Sequence, residues 1–198
     1  FIIGGSGWTD RSCSKLHNFI NENNIPVATS FRRQDLFDHK NENFAGSFGT
    51  SVSPKLIDST KKSDLIIVLG ARLGEMTTQG YSIISPQDIS KNIMHIHVDP
   101  NELNKVFNAN VCINVGVNEC CDKLEELSLD NSNRWKEWRN ELNKNYLEDS
   151  KPQKNRNLNN LSEIFEIVEK KFPSNSIITL DAGNNAAWPQ SFLSFGRN

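Results

Sequence analysis

Along this chain, short runs of large aliphatic residues alternate with stretches whose apolar residues recur every three or four positions. The runs read as buried strands, and the three-to-four spacing reads as one face of a helix. Phe1–Gly5 is a short apolar run that ends in glycine. Asp10–Asn24 follows, with Cys13, Leu16, Phe19 and Ile20 at helical spacing. Ile25–Ser30 predicts a second strand, and the polar stretch Phe31–Thr50, rich in Asn, Asp, Arg and Gly, predicts a long loop. Pro54 opens a helix that carries Leu56 and Ile57 and ends at Lys61 and Lys62, where cations suit the helix dipole.

Asp64–Gly70 is the clearest strand, with five consecutive large aliphatics, as expected when both faces of a sheet are covered. Ile93–Val98 is another, stopped by Asp99-Pro100, and Val111–Val115 is a weaker one. Asn118–Leu129 predicts a helix whose buried stripe is Cys121, Leu124 and Leu127. Strands alternating with helices over residues 1–130 predict an α/β domain with a doubly wound parallel sheet. Asn133–Leu147 carries Trp135, Trp138, Leu142 and Tyr146 amid charges, as in an amphipathic surface helix, and Lys151–Asn157 reads as a linker. Residues 131–156 are therefore read as a helical linker. Residues 157–198 are read as the start of a second α/β domain, with a helix through Leu158, Leu161, Ile164, Phe165 and Val168 and a strand at Ser176–Leu180. The chain starts at Phe1 directly on a strand and ends at Asn198 soon after another, so it reads as a piece of a longer polypeptide.

Composition narrows the classes. Apolar residues are 36% and charged residues 23% of the chain, with a net charge of −2, which is outside the regime of disorder. Asn, at 26 of 198 positions, accounts for much of the polarity and is spread throughout. Near-neutral charge without a Lys/Arg block argues against nucleic acid as a partner, and no apolar run is long enough to span a bilayer. Cys13, Cys112, Cys120 and Cys121 show no C-x-x-C spacing, which predicts buried reduced thiols in a cytoplasmic protein. His95 and His97 would share one strand face, but no third or fourth zinc ligand is identifiable.

Four motifs carry candidate chemistry. Gly4-Gly5-Ser6-Gly7-Trp8 lies between a strand and a helix, where backbone N–H groups can approach a phosphate, although Asp10 stands where the dinucleotide fingerprint has Gly or Ala. Gly70-Ala71-Arg72-Leu73-Gly74 follows the best strand, so Arg72 can face a phosphate or carboxylate there. Phe31–Asp38 holds two arginines, two aspartates and two phenylalanines at the head of the long loop; it suits either a functional loop or a surface cluster of salt bridges. Asp181–Trp188 contains Gly183, Asn184 and Asn185, whose N–H and NH₂ groups suit phosphate oxygens, or form a plain Asn/Gly turn. Nucleophile-elbow, P-loop, zincin and EF-hand patterns do not occur.

Taken in order, the motifs point further than they do singly. The succession Ile2-Ile3-Gly4-Gly5-x-Gly7, Pro26-Val27-Ala28-Thr29, Phe44-Ala45-Gly46-x-x-Gly49, Ser63–Arg72 and His95–Pro100 resembles the central domain of thiamine-diphosphate enzymes, nearest to acetolactate synthase large subunits. Thr179–Asn185 with Trp188 looks like the opening of that family's diphosphate-binding domain. The resemblance implies a Mg²⁺-requiring enzyme in which a 2-keto acid such as pyruvate loses CO₂ on the cofactor and the remainder adds to a second carbonyl. It implies a homodimer or homotetramer, with the activating glutamate and the metal motif beyond these residues, so that the piece alone is inactive.

By the same resemblance Gly183, Asn184 and Asn185 fall where diphosphate contacts begin, and Gly4, Gly5, Gly7 and Arg72 match nucleotide contacts of the central domain. FAD occupies that domain in acetolactate synthases, and an ADP-like group or nothing in other members. Here His97, Gly74 and Asn114 stand where flavin-binding members tend to carry acids, which weighs against FAD. A simple 2-keto acid decarboxylase or another carboligase fits the same motifs, and so does a nucleotide-binding module without thiamine chemistry.

Overall fold

The computed structural model describes residues 1–86, 92–130, 133–152, 161–173 and 175–196. Its centre is one parallel sheet of β1 (Ile2–Ile3), β2 (Val27–Thr29), β3 (Phe44–Ser47), β4 (Leu65–Leu69), β5 (Asn92–His97) and β6 (Val111–Asn114). They lie in the order β3-β2-β1-β4-β5-β6, so the chain winds outward from β1 to one edge and then returns to build the other half from β4. Every pair is parallel, with Ile2 and Ile3 of β1 opposite Val68 and Leu69 of β4.

Helices α1 (Asp10–Asn23), α2 (Pro54–Lys62), α3 (Val117–Glu125) and α4 (Lys136–Asp149) cover the sheet. Side-chain alternation along the strands makes two cores. Ile3, Val27, Phe44 and Leu69 pack with Leu16 and Ile20 of α1 and Cys121 of α3. Ile2, Ala28, Ile66 and Val68 pack on the other face with Leu56 of α2 and Leu142 of α4. Both faces of the central strands are covered, β6 alone being exposed along its length, and the expected doubly wound α/β sheet is the fold. Within α4, Arg139 is almost fully buried: Nη2 donates to Asn24 Oδ1 at 2.9 Å, and Nη1 lies 2.7 Å from a carboxylate oxygen of Glu42.

Several expectations need correction. The stretch Phe31–Thr50 is not simply a loop, because it contains a 3₁₀ turn at Gln34–Leu36 and the edge strand β3. Leu36 and Phe37 are wholly buried, so the Phe31–Asp38 cluster is partly core. Ser176–Leu180 forms no strand: neither sheet edge reaches it, and without a neighbour its backbone has no ladder to join. Ile177 there is 92% exposed. Leu127 lies past the end of α3 and is exposed. Cys13 and Cys121 are buried, but Cys112, on the edge strand β6, is exposed; all four thiols are free.

The last helices are α5 (Leu161–Lys171) and α6 (Ala187–Phe192), which pack against each other. Leu158 and residues 153–157 lie outside the described residues. The α5 stripe of Leu161, Ile164 and Ile167 is exposed. No helix among the described residues is long and apolar enough to cross a membrane.

Candidate functional site

Parallel sheets bind ligands outside the carboxyl ends of their strands, where the winding order reverses. That reversal falls between β1 and β4, and a cleft of about 1130 Å³ opens there. Its floor is the glycine turn after β1 and the turn after β4. These two turns touch: a Cβ on Gly5 would stand 1.9 Å from the Gly70 carbonyl oxygen, and one on Gly4 would stand 1.9 Å from Ser30 Oγ. Gly5 and Gly70 also have φ of +72° and +71°, which only glycine adopts cheaply.

Gly7 differs. It has φ +87°, its nearest neighbour to a Cβ is Val117 at 4.0 Å, and it lines the cleft. Asn118, from the first turn of α3, donates from Nδ2 to the Gly7 carbonyl at 2.9 Å, and Trp8 Nε1 donates to the Gly4 carbonyl at 2.7 Å. Beyond the turn Thr9 caps α1, accepting from Ser12 N–H while Ser12 Oγ accepts from Thr9 N–H. The glycine turn is therefore held from three sides, with the helix N-terminus behind it. Sequence reasoning missed Asn118 because its partner is brought in from more than a hundred residues away.

Arg72 is exposed on the cleft wall and makes no ion pair among the described residues. The other basic side chains at the cleft are occupied: Arg33 forks onto Asp35 at 3.0 and 3.1 Å, and Lys105 bonds Glu102 at 2.8 Å. Gly74, which also lines the cleft, has nothing within 4 Å of a would-be Cβ. Apolar side chains in the lining are Met76, Tyr81, Val98, Val106 and Phe107, and carboxylates there are Glu75, Asp99, Glu102 and Glu119. This combination offers an anion one free guanidinium and an open glycine turn, and offers a ring several apolar side chains.

The strand-end side chains where an acid would read a ribose are bonded to backbone. His95 donates from Nε2 to the Ala71 carbonyl at 2.9 Å, and burial lowers its pKa, partly offset by that bond. His97 Nδ1 accepts from Asp99 N–H at 3.1 Å. Asn114 Nδ2 donates to the carbonyls of His97 and Val98 at 2.9 and 2.8 Å, bonds a carboxylate could not make. Asp99 is itself committed, accepting from Asn101 N–H and Nδ2, which holds its carboxyl below the usual range. The residues present do not fit the ribose of FAD. No group of three His, Cys, Asp or Glu that could hold an ion occurs among the described residues.

Gly5, Gly7 and Arg72 thus meet in one cleft, with Gly4 packed beneath it. Gly183, Asn184 and Asn185 lie apart, in a 3₁₀ turn that runs directly into α6. Gly183 has φ +136°, and both asparagines are exposed, their amides bonding no other group among the described residues. Two free NH₂ groups on an open glycine turn form a donor set that fits diphosphate oxygens.

Residues 1–124 match the family model described as thiamine pyrophosphate enzyme, central domain. A probable acetolactate synthase large subunit of Methanocaldococcus jannaschii is 27% identical over 98% of this chain and 36% of its own length. Its counterpart in Methanococcus aeolicus is 24% identical over the same shares of the two chains. The acetolactate synthase large subunit of Buchnera aphidicola is 24% identical over 98% of this chain and 34% of its own. The chain therefore spans about a third of the length of these relatives.

Proposed function

Since the chain belongs to the thiamine pyrophosphate enzymes, whose central domain its residues 1–124 match, we propose that it works within a longer acetolactate-synthase-like enzyme acting on 2-keto acids such as pyruvate. The observation that carries this reading is the likeness to acetolactate synthase large subunits along 98% of the chain, through the central sheet and on to the asparagine turn. Bound thiamine diphosphate supplies the nucleophilic carbon on which the keto acid loses CO₂ and from which the remainder passes to a second carbonyl.

The roles of this chain's own residues are those of a holder. Asn184 and Asn185 donate their amides to the diphosphate, and Gly183 lets the backbone approach it. The Mg²⁺ ligands and the activating glutamate belong to other parts of the enzyme, a homodimer or homotetramer of the cytoplasm. Residues 1–130 form the central domain, the linker residues 131–156 carry α4 over its sheet, and residues 157–198 open the diphosphate-binding domain. FAD is disfavoured in the central cleft in this reading, since the strand-end groups at His97 and Asn114 are bonded to backbone.

In the full-length protein, replacing Asn184 and Asn185 together by Ala should weaken thiamine diphosphate binding, each lost bond to the charged group costing about 1.5–3 kcal/mol. An unchanged Kd would reject the assignment. Measuring acetolactate against CO₂ from pyruvate separates carboligation from simple decarboxylation. Purified full-length protein should show no flavin absorbance; a yellow preparation would overturn the reading of the cleft.

A further inference from the structure

The cleft and the asparagine turn share a junction. Residues 74–81, after β4, contribute Gly74, Glu75, Met76, Thr77 and Tyr81 to the cleft. Within them Gln79, Gly80 and Tyr81 are three successive left-handed residues, with φ of 52°, 64° and 62°. Two of these are not glycine, and such a run persists only where contacts enforce it. Gln79 makes the contact. Its Nε2 donates to the Gly49 carbonyl at 2.6 Å and to the Met76 carbonyl, in its own loop, at 3.1 Å.

Gly49 follows β3 and touches a second side of the cleft. It has φ +149°, and the ring of Phe31, a cleft residue, lies 2.8 Å from where a Cβ would stand. The next two residues meet α6. Thr50 Oγ1 is 3.5 Å from Gln190 Oε1, and Ser51 Oγ donates to the Ala187 carbonyl at 3.3 Å. These are long, weak contacts, and a cavity of about 440 Å³ lies between α6, the start of α2 and the end of α4. The far end of the segment is held better: His39 N–H donates to the Phe195 carbonyl at 2.9 Å, and Leu193 is buried. The segment is thus anchored behind α6 and lightly propped in front, where the asparagine turn joins it.

We propose that Gln79, acting through Gly49, is a positioning residue for the turn at Gly183–Asn185: the cleft loop fixes residues 49–51, and these prop the front of α6. The role rests on the reading that Asn184 and Asn185 meet the diphosphate. Freeing residues 49–51 would spread the turn over more positions, which the cofactor would then have to order on binding.

The test uses the full-length protein with Gln79→Ala and Gln79→Glu, the second placing a carboxylate against the Gly49 carbonyl. Amide hydrogen exchange is followed over residues 184–193, and thiamine diphosphate Kd is measured beside the Asn184→Ala/Asn185→Ala variant. Exchange over 184–193 should accelerate in both Gln79 variants while peptides from α1 and α3 keep their protection. The cofactor Kd should rise roughly two- to tenfold, the worth of one neutral hydrogen bond. Unaltered exchange over 184–193 overturns the coupling, whatever the cofactor does. Faster exchange with an unchanged Kd, beside a weakened asparagine variant, overturns the positioning role and leaves the cofactor reading intact. An unchanged Kd in the asparagine variant removes the cofactor reading, and the positioning role falls with it.

Discussion

Glycine is the residue whose meaning changes most between sequence and fold. The Gly4–Gly7 turn reads as a phosphate cradle, yet Gly4 and Gly5 are demanded by the protein's own backbone and side chains. Gly5→Ala would force a Cβ into the Gly70 carbonyl at a φ of +72°. Overpacking and left-handed strain each cost about 1–3 kcal/mol, so denaturant unfolding should show a loss of about 2–6 kcal/mol. Gly74→Ala should stay within about 0.5 kcal/mol of the parent, because nothing stands within 4 Å and its φ is ordinary. Equal losses for the two would contradict this division. The same scale decides thiol reactivity. Burial pushes Cys120 up to about 11 and Cys121 up to about 12, and Cys13 is enclosed. Within residues 1–198 of the native protein, alkylation at neutral pH followed by peptide mapping should find Cys112 modified first. Early modification of Cys121 would show that the packing of α1 on α3 is wrong.

Among the elements, legibility followed burial on both faces. β4 is a run of aliphatics and was plain, whereas β3, Phe-Ala-Gly-Ser, has one large side chain and is made a strand by pairing with β2 and by α4 packing over it. Ser176–Leu180 is the reverse case. Its Ile-Ile-Thr-Leu pattern has strand propensity, but propensity without a neighbouring backbone does not make a ladder. Helix α1 was legible from the spacing of Cys13, Leu16, Phe19 and Ile20, while its ends are fixed in the structure by a Thr9–Ser12 capping box and by Asn24, left-handed at φ 51°. Thr9→Ala should cost about 1 kcal/mol. The loss should appear as a lower denaturation midpoint with an unchanged slope; an unchanged midpoint would mean that Asn118, also 3.2 Å from the Thr9 hydroxyl, sustains the turn alone.

For the molecule as a whole, the question is what joins the terminal segment to the sheet, and the answer converges on His39. Its ring stacks on Phe44 of β3 with centroids 4.0 Å apart, stands edge-on to Tyr146 of α4, and meets Phe195 at 5.5 Å. Nothing in the composition marks it, since Tyr146 and Phe195 come from two distant stretches of chain. Nδ1 lies 3.3 Å from the Tyr146 hydroxyl, while Nε2 is buried without a hydrogen-bond partner among the described residues. Burial lowers the pKa to about 3, although the Gln34 and Leu193 carbonyls nearby offset part of the effect. The unfolded chain takes up this proton near 6.5, the folded one only near 3. Between those values the unfolded state binds more protons, so His39 stabilises the fold fully above pH 6.5 and progressively less as pH falls. The slope from this one group is about 1.4 kcal/mol per pH unit. Burial lowers His17 and His95 in the same direction, and titrating carboxylates add their own slopes, so only a difference isolates His39. His39→Phe keeps a ring of similar shape among Phe44, Tyr146 and Phe195 but cannot be protonated. At neutral pH the variant should be the less stable, because the Tyr146 hydroxyl loses its Nδ1 partner. As pH is lowered from 6.5 toward 4 that deficit should shrink and then reverse in urea titrations, since the parent alone carries the histidine's proton penalty. Parallel pH profiles for parent and variant would show that the ring is solvated, and that the terminal segment is not seated on it as described.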